Sequence, residues 1–188
     1  MKTIYFITSN KGKVHEVTEK LKQFNYKIIQ KNYGYPEIQT ETLEEVARFG
    51  VNHFHQNDID HPFILEDSGI FIDALEGFPG VYSSYVYFTI GLDGILKLMK
   101  NVSDEKRKAQ FKSVFAYSTP NGDYELFVGT CNGSITKKKQ GSRGFGYDPI
   151  FKPNGFQKTF AELETTEKNK ISHRAQSLEK LVKYLKEL

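Results

Sequence analysis

Tryptophan is absent from this chain, methionine occurs twice and cysteine once. The solitary Cys131 excludes a disulfide framework and a cysteine-ligated metal site. No apolar run approaches the ~20 residues that a membrane-spanning helix needs, and no segment has the form of a secretory leader. A cytoplasmic protein with no membrane partner is therefore expected. Excess charge is also missing: a net +3 does not by itself point to nucleic acid. The one cationic run, Lys137-Lys138-Lys139, reads as a solvated loop. Internal repeats, low-complexity tracts and linkers are lacking too, so residues 1–188 read as one domain. What is present is the composition of a globular protein, 38% hydrophobic, 26% charged and 14% aromatic.

Hydrophobic periodicity sets the expected elements. A buried strand over Thr3–Ile7 leads through Thr8-Ser9-Asn10-Lys11-Gly12 into a helix with Val14, Val17, Leu21 and Phe24 on one face. Tyr26–Gln30 is a second strand. Thr42 and Glu45 form a capping box opening a second helix. Phe63-Ile64-Leu65 and Ile70-Phe71-Ile72 read as short strands separated by Glu66-Asp67-Ser68-Gly69, and Gly77-Phe78-Pro79-Gly80 as a turn. Ile90–Lys100 is helical. Phe111–Ser118 and Tyr124–Thr130 flank the hairpin signal Pro120-Asn121-Gly122. A last helix opens at Ser172. Strand–helix alternation followed by a hairpin predicts an α/β fold with a mixed sheet and helices packed against it.

Two of these helices begin with positive charge. Lys11 and Lys13 lie in the first turn after Asn10; His173 and Arg174 follow Ser172, with Lys168 and Lys170 just upstream. A helix N-terminus already carries about half a positive charge, and each misplaced cation costs about 0.3–1 kcal/mol. A polyphosphate arriving at these ends would explain both. The first loop has short donors in Thr8, Ser9 and Asn10, close backbone approach at Gly12 and two lysines, although it lacks Walker spacing. Its alternative is an ordinary Asn-capped helix with surface lysines.

Glu66 and Asp67 interrupt an apolar run in which no lysine or arginine lies between Pro62 and Tyr87. A buried carboxylate needs a cation, and hard oxygens suit Mg²⁺; the alternative is a turn with Asp67 bonding backbone N–H groups. Glu37, Glu41, Glu44 and Glu45 are further ligand candidates that spacing does not separate. In Gly141–Pro149, glycines around Phe145 and Tyr147 would leave aromatic faces for a planar base, with Asp148 as a nearby hydrogen-bonding group; a packed glycine turn is the alternative. Arg174 is a donor only, so aimed at a purine it would favour a 6-oxo over a 6-amino group.

Together these residues resemble the inosine triphosphatase family, through Thr8-Ser9-Asn10 with Lys13, Glu66-Asp67-Ser68-Gly69, Gly77–Ser83, Gly144–Phe151, and Glu167-Lys168 with Ser172-His173-Arg174. Ser9 stands where many members have glycine. The resemblance implies an elongated α/β fold with a long central mixed β-sheet, flanked by helices, its two lobes around a nucleotide-binding cleft, and a homodimer. It implies hydrolysis of ITP, dITP and XTP to the monophosphate and pyrophosphate with Mg²⁺, and no nucleic-acid partner. Thr8, Ser9, Asn10, Lys11, Gly12 and Lys13 would hold the phosphates. Asp67 would be the catalytic carboxylate and a metal ligand, Glu37 the second ligand, with Glu66 close by. Ser68, Phe145, Gly146, Tyr147, Asp148, Lys168, His173 and Arg174 would complete the substrate site. The rival readings are a pyrophosphatase of dTTP or UTP, and a nucleotide- or RNA-binding module without catalysis.

Overall fold

Alternation along the first strand decides how the chain begins to pack. Ile4 and Phe6 of β1 (Lys2–Ile7) are buried while Thr3 and Tyr5 between them are half-exposed. The computed structural model describes residues 1–36, 38–57 and 59–188. The strands form one mixed sheet in the order β2-β1-β3-β5-β6-β7, with β4 paired to β3. They are β1, β2 (Tyr26–Lys31), β3 (Phe63–Ile72), β4 (Pro79–Gly80), β5 (Lys108–Ser118), β6 (Tyr124–Ile135) and β7 (Phe151–Pro153). Among the described residues six α-helices accompany them: α1 (Lys11–Lys22), α2 (Leu43–His55), α3 (Ser83–Thr89), α4 (Gly91–Leu98), α5 (Thr165–Ile171) and α6 (His173–Glu187). The mixed α/β fold expected from the sequence is the fold observed.

Packing divides the chain into two compact units. The first comprises Met1–Asp67, Val114–Val128 and Ser177–Leu188. There β1 runs parallel to β2 and to the start of β3, with Tyr5 opposite Phe63 and Phe6 opposite Ile64. Its core joins Ile4 and Phe6 to Val17 and Leu21 of α1, Phe115 of β5, and Leu178, Leu181, Val182 and Leu185 of α6. Tyr26 donates its buried hydroxyl to the Leu185 carbonyl at 2.9 Å. Elsewhere in the unit α2 buries Leu43, Ala47, Val51 and Phe54, the last edge-on to Phe63 at 5.9 Å. The capping box is present: Glu45 N donates to Thr42 Oγ1 and Thr42 N to Glu45 Oε2, each at 3.2 Å.

The second unit comprises Ser68–Ser113 and Gly129–Gln176. Its core gathers Ile70, Ile72, Val86, Ile95, Met99, Phe111, Ile150, Phe151 and Phe160. β3 differs from expectation, since it is one unbroken strand of 10 residues and not two strands around a turn. Gly69 is there for close approach: a Cβ on it would stand 2.3 Å from the Gly80 carbonyl oxygen. That vacancy lets Ile70 and Phe71 pair antiparallel with Gly80 and Pro79. The chain turns at Gly77 and Phe78, whereas Pro79 and Gly80, expected in the same turn, form β4 because they pair with β3. The hairpin turn is as expected, with Gly122 at φ +94° and Thr119 N donating to Asp123 O at 3.0 Å. α3 was not anticipated, because its Tyr, Val, Phe and Thr residues favour strand over helix. α5 has no apolar stripe, so hydrophobic periodicity does not reveal it.

Arg107 closes this unit from inside. It is almost wholly buried and donates to the carbonyls of Met99 (2.6 Å), Val102 (3.2 Å), Ile135 (2.7 Å) and Thr136 (2.8 Å). Burial draws its pKa down, opposed by Asp104. Arg107→Met would strand those carbonyls, at a cost of about 3 kcal/mol or more. The expected fall in Tm is roughly 6–12 °C; a shift under about 2 °C would show that the carbonyls find other donors.

Candidate functional site

In the first unit, β1 ends at Ile7 and the next three residues turn the chain into α1. Asn10 caps the helix by accepting from Lys13 N at 3.1 Å, and its own N–H donates to Thr8 Oγ1 at 3.1 Å. The Thr8 carbonyl is fixed by Gln30 Nε2 at 2.9 Å. Ser9, Asn10, Lys11 and Gly12 are exposed. A Cβ on Gly12 would press on Asn10 Oδ1 at 3.2 Å, so glycine keeps the cap undistorted. The phosphate expectation rests on these exposed residues.

Lys13 behaves differently from Lys11. Its Nζ lies 2.6 Å from Glu66 Oε2 and donates to the Glu66 carbonyl at 3.0 Å. The Glu66 side chain is fully buried in β3. Two features that look like separate anomalies in sequence, a cation at a helix start and an acid in an apolar strand, therefore answer each other. Lys13 supplies a cation to Glu66.

Asp67, next in the strand, is half-buried and accepts from the Tyr35 hydroxyl at 3.0 Å on Oδ2. The Tyr35 ring lies edge-on to Phe54 at 5.5 Å and 6.3 Å from the His53 ring. No motif in the sequence marks Tyr35 as a site residue. The available signal was Gly50, a glycine inside the apolar face of α2, which marks a close approach. A Cβ there would come within 2.7 Å of Leu65 Cδ1 and 3.3 Å of Tyr35 Cε2. Glu37, the expected second metal ligand, lies outside the described residues. Glu45 is engaged by Thr40 and Thr42, which hold its carboxyl below the usual range. Among the described residues no three His, Cys, Asp or Glu side chains group to hold a metal. Mg²⁺ commonly takes one or two carboxylates and completes its shell with substrate phosphates and water. Asp67 fits that pattern; Glu66, paired with Lys13, fits it less well. A separate cavity of about 320 Å³, walled by Tyr33, His53 and Phe54, includes none of the expected site residues.

In the second unit the loop at 141–149 is built around Asp148. This carboxylate is buried; its Oδ2 accepts from Phe145 N at 2.8 Å and meets Lys168 Nζ at 2.5 Å. Gly144 sits at φ +74°, and a Cβ there would fall 2.0 Å from Asp148 Oδ2, so only glycine permits this closure. Phe145 is left 44% exposed, with Lys168 Nζ 4.8 Å and Arg174 Cζ 5.3 Å from its ring centroid. Tyr147 is not a second open face. It is 4% exposed and donates its hydroxyl to the Ser83 carbonyl at 2.8 Å, while burial pushes its pKa strongly up. Gly146, at φ +60°, turns the chain between the exposed and the buried ring.

Ser172 caps α6 as expected, accepting from Ala175 N at 3.2 Å. Upstream, Lys168 and Lys170 occupy the last turn of α5, the end at which cations are favourable. They are thus not misplaced charges. His173 is buried with its ring stacked on Phe111 at 4.6 Å and 6°. Arg174 is buried and donates from Nη2 to Ser68 Oγ at 3.3 Å. Ser68, Phe145, Asp148, Lys168 and Arg174 thus form one polar and aromatic cluster.

A profile of the Ham1 family matches residues 4–184. The chain belongs to the Ham1 family. Among its relatives is a dITP/XTP pyrophosphatase of Pyrococcus horikoshii, 51% identical over 97% of this chain and 96% of the relative. Another, of Thermococcus kodakarensis, bears the same name and is 50% identical over 97% and 96%. A HAM1 protein from Coxiella burnetii superposes with a TM-score of 0.87 at 33% identity, covering 100% of both chains. In this Ham1 chain the Lys13–Glu66 pair should be strongly coupled. Lys13→Met and Glu66→Leu should each cost about 3 kcal/mol by stranding a charge, and the double variant should lie within about 1 kcal/mol of the parent. Urea unfolding of the three variants measures this, and additive losses would contradict the pairing.

Proposed function

We propose that this chain hydrolyses non-standard purine nucleoside triphosphates, namely ITP, dITP and XTP, to the monophosphate and pyrophosphate, and so cleanses the nucleotide pool. The observation that carries the reading is near-complete alignment with relatives named dITP/XTP pyrophosphatase at about half identity. The local geometry of the expected residues supports it. The reaction forms a bond from water oxygen to the α-phosphorus and breaks the bridge to the β-phosphate, releasing pyrophosphate.

The chain's residues divide this work. The exposed loop Thr8–Gly12 offers donors to phosphate oxygens at the start of α1, where the helix dipole favours an anion. Lys13, fixed by Glu66, supplies a positioned positive charge that needs no reorganisation as negative charge develops. Asp67 is the catalytic carboxylate and, with Glu37, the proposed holder of Mg²⁺. A bound Mg²⁺ would neutralise phosphate charge and orient the triphosphate. Phe145 offers a half-exposed ring for stacking on the base, held by the Asp148 contact to its backbone. Arg174, anchored on Ser68, presents donors that suit a 6-oxo group. His173 acts by packing Arg174's helix against Phe111.

No helix among the described residues is long and apolar enough to cross a membrane, which accords with the cytoplasmic setting proposed. A homodimer is proposed as well. The second unit exposes Tyr85 (69%) and Phe88 (81%) on α3, with Tyr82 and Ile90 beside them, an apolar surface of the kind that covers itself in assembly.

A panel of ITP, XTP, GTP, ATP, dTTP and UTP, assayed with Mg²⁺ and resolving pyrophosphate from orthophosphate, tests the reading. Pyrophosphate release is expected from ITP and XTP at a kcat/KM about 100-fold or more above ATP, and Arg174→Ala should narrow that ratio. Preference for dTTP or UTP, or binding without product, would overturn it.

A further inference from the structure

We infer that Tyr35 is a positioning residue that fixes the Asp67 carboxylate, with Gly50 on α2 making the room that this requires. The inference rests on the reading of Asp67 as the functional carboxylate. An ionised carboxylate only accepts hydrogen bonds, so the Tyr35 hydroxyl, 3.0 Å from Oδ2, directs its proton to that oxygen. A bond of this kind restrains the rotation of the half-buried Asp67 carboxylate.

The donor itself is held. The Tyr35 ring is bracketed by Phe54, edge-on at 5.5 Å, and by His53 at 6.3 Å. The ring edge lies 3.3 Å from where a Cβ on Gly50 would stand, and Leu65 Cδ1 lies 2.7 Å from the same point. A glycine inside a helix costs about 1 kcal/mol relative to alanine. Here it leaves the space that the Tyr35 ring and Leu65 fill. The phenol is thus packed by α2 on its ring and spends its hydroxyl on the adjacent strand. This is the arrangement of an outer residue that orients a ligand, a role whose loss typically weakens metal affinity roughly 10- to 100-fold.

The test uses Tyr35→Phe, which keeps the ring packing and removes only the hydroxyl. Mn²⁺ affinity of the nucleotide-free protein, read by electron paramagnetic resonance of free Mn²⁺, should weaken about tenfold. Turnover of ITP should fall by a similar factor in kcat with KM within about twofold, and Tm should move by less than about 4 °C. Asp67→Asn is run beside it and should depress both Mn²⁺ affinity and kcat further. Mn²⁺ affinity within about twofold of the parent in Tyr35→Phe, with Asp67→Asn impaired, overturns the role of Tyr35 and leaves that of Asp67 standing. Unimpaired Asp67→Asn overturns both.

Discussion

The ion pair between Lys13 and Glu66 is the constraint on which the first unit's candidate site depends. A buried carboxylate in an apolar strand is tolerable only with a partner, and a lysine at the start of a helix is unfavourable without one. Each residue resolves the other's cost at 2.6 Å, and the lysine adds a bond to the Glu66 carbonyl. The consequence is positional: the start of α1, with its exposed donors, is tied to β3 one residue before Asp67. Cation, loop donors and carboxylate are thus linked through this contact, beside the bonds that hold the loop and Asp67 individually.

The second unit uses the same device with the signs exchanged along the chain. Asp148 is the buried acid, Lys168 its cation, and the Phe145 N–H a further donor to the same oxygen. What the pair organises is a ring and not a carboxylate: Phe145 stays half-exposed beside two cationic groups, while Tyr147 two residues on is drawn into the core. Cations next to an aromatic ring, one of them on the fixed Arg174, are the features on which the proposed stacking of a flat base rests.

Much of this was legible from residue order. The cap at Asn10, the capping box at Thr42, the hairpin at Gly122 and the Ser172 cap are local signals with local causes, and each is present. So is the mixed sheet that strand–helix alternation implied. What failed to read through was tertiary. Glu66–Gly69 looked like a turn because acid, serine and glycine favour turns, yet the strand continues because Lys13 meets the acid and Gly80 needs the space at Gly69. Tyr147 looked like a second stacking face, and only the fold shows its hydroxyl spent on Ser83. Lys168 and Lys170 looked misplaced until α5 supplied the helix end that suits them. Tyr35 carried no motif at all, and its contact to Asp67 depends on a glycine 15 residues away.

Lys13 is proposed to do chemistry and not merely to form half of a folding contact. The Lys13→Met/Glu66→Leu double variant separates the two, because it removes the charge without stranding its partner. Steady-state hydrolysis of ITP by this variant, at a temperature where it is folded, is the direct measurement. If Lys13 acts on the substrate, kcat/KM falls by about 100-fold or more in a protein whose unfolding resembles the parent's. Hydrolysis restored along with stability would contradict it.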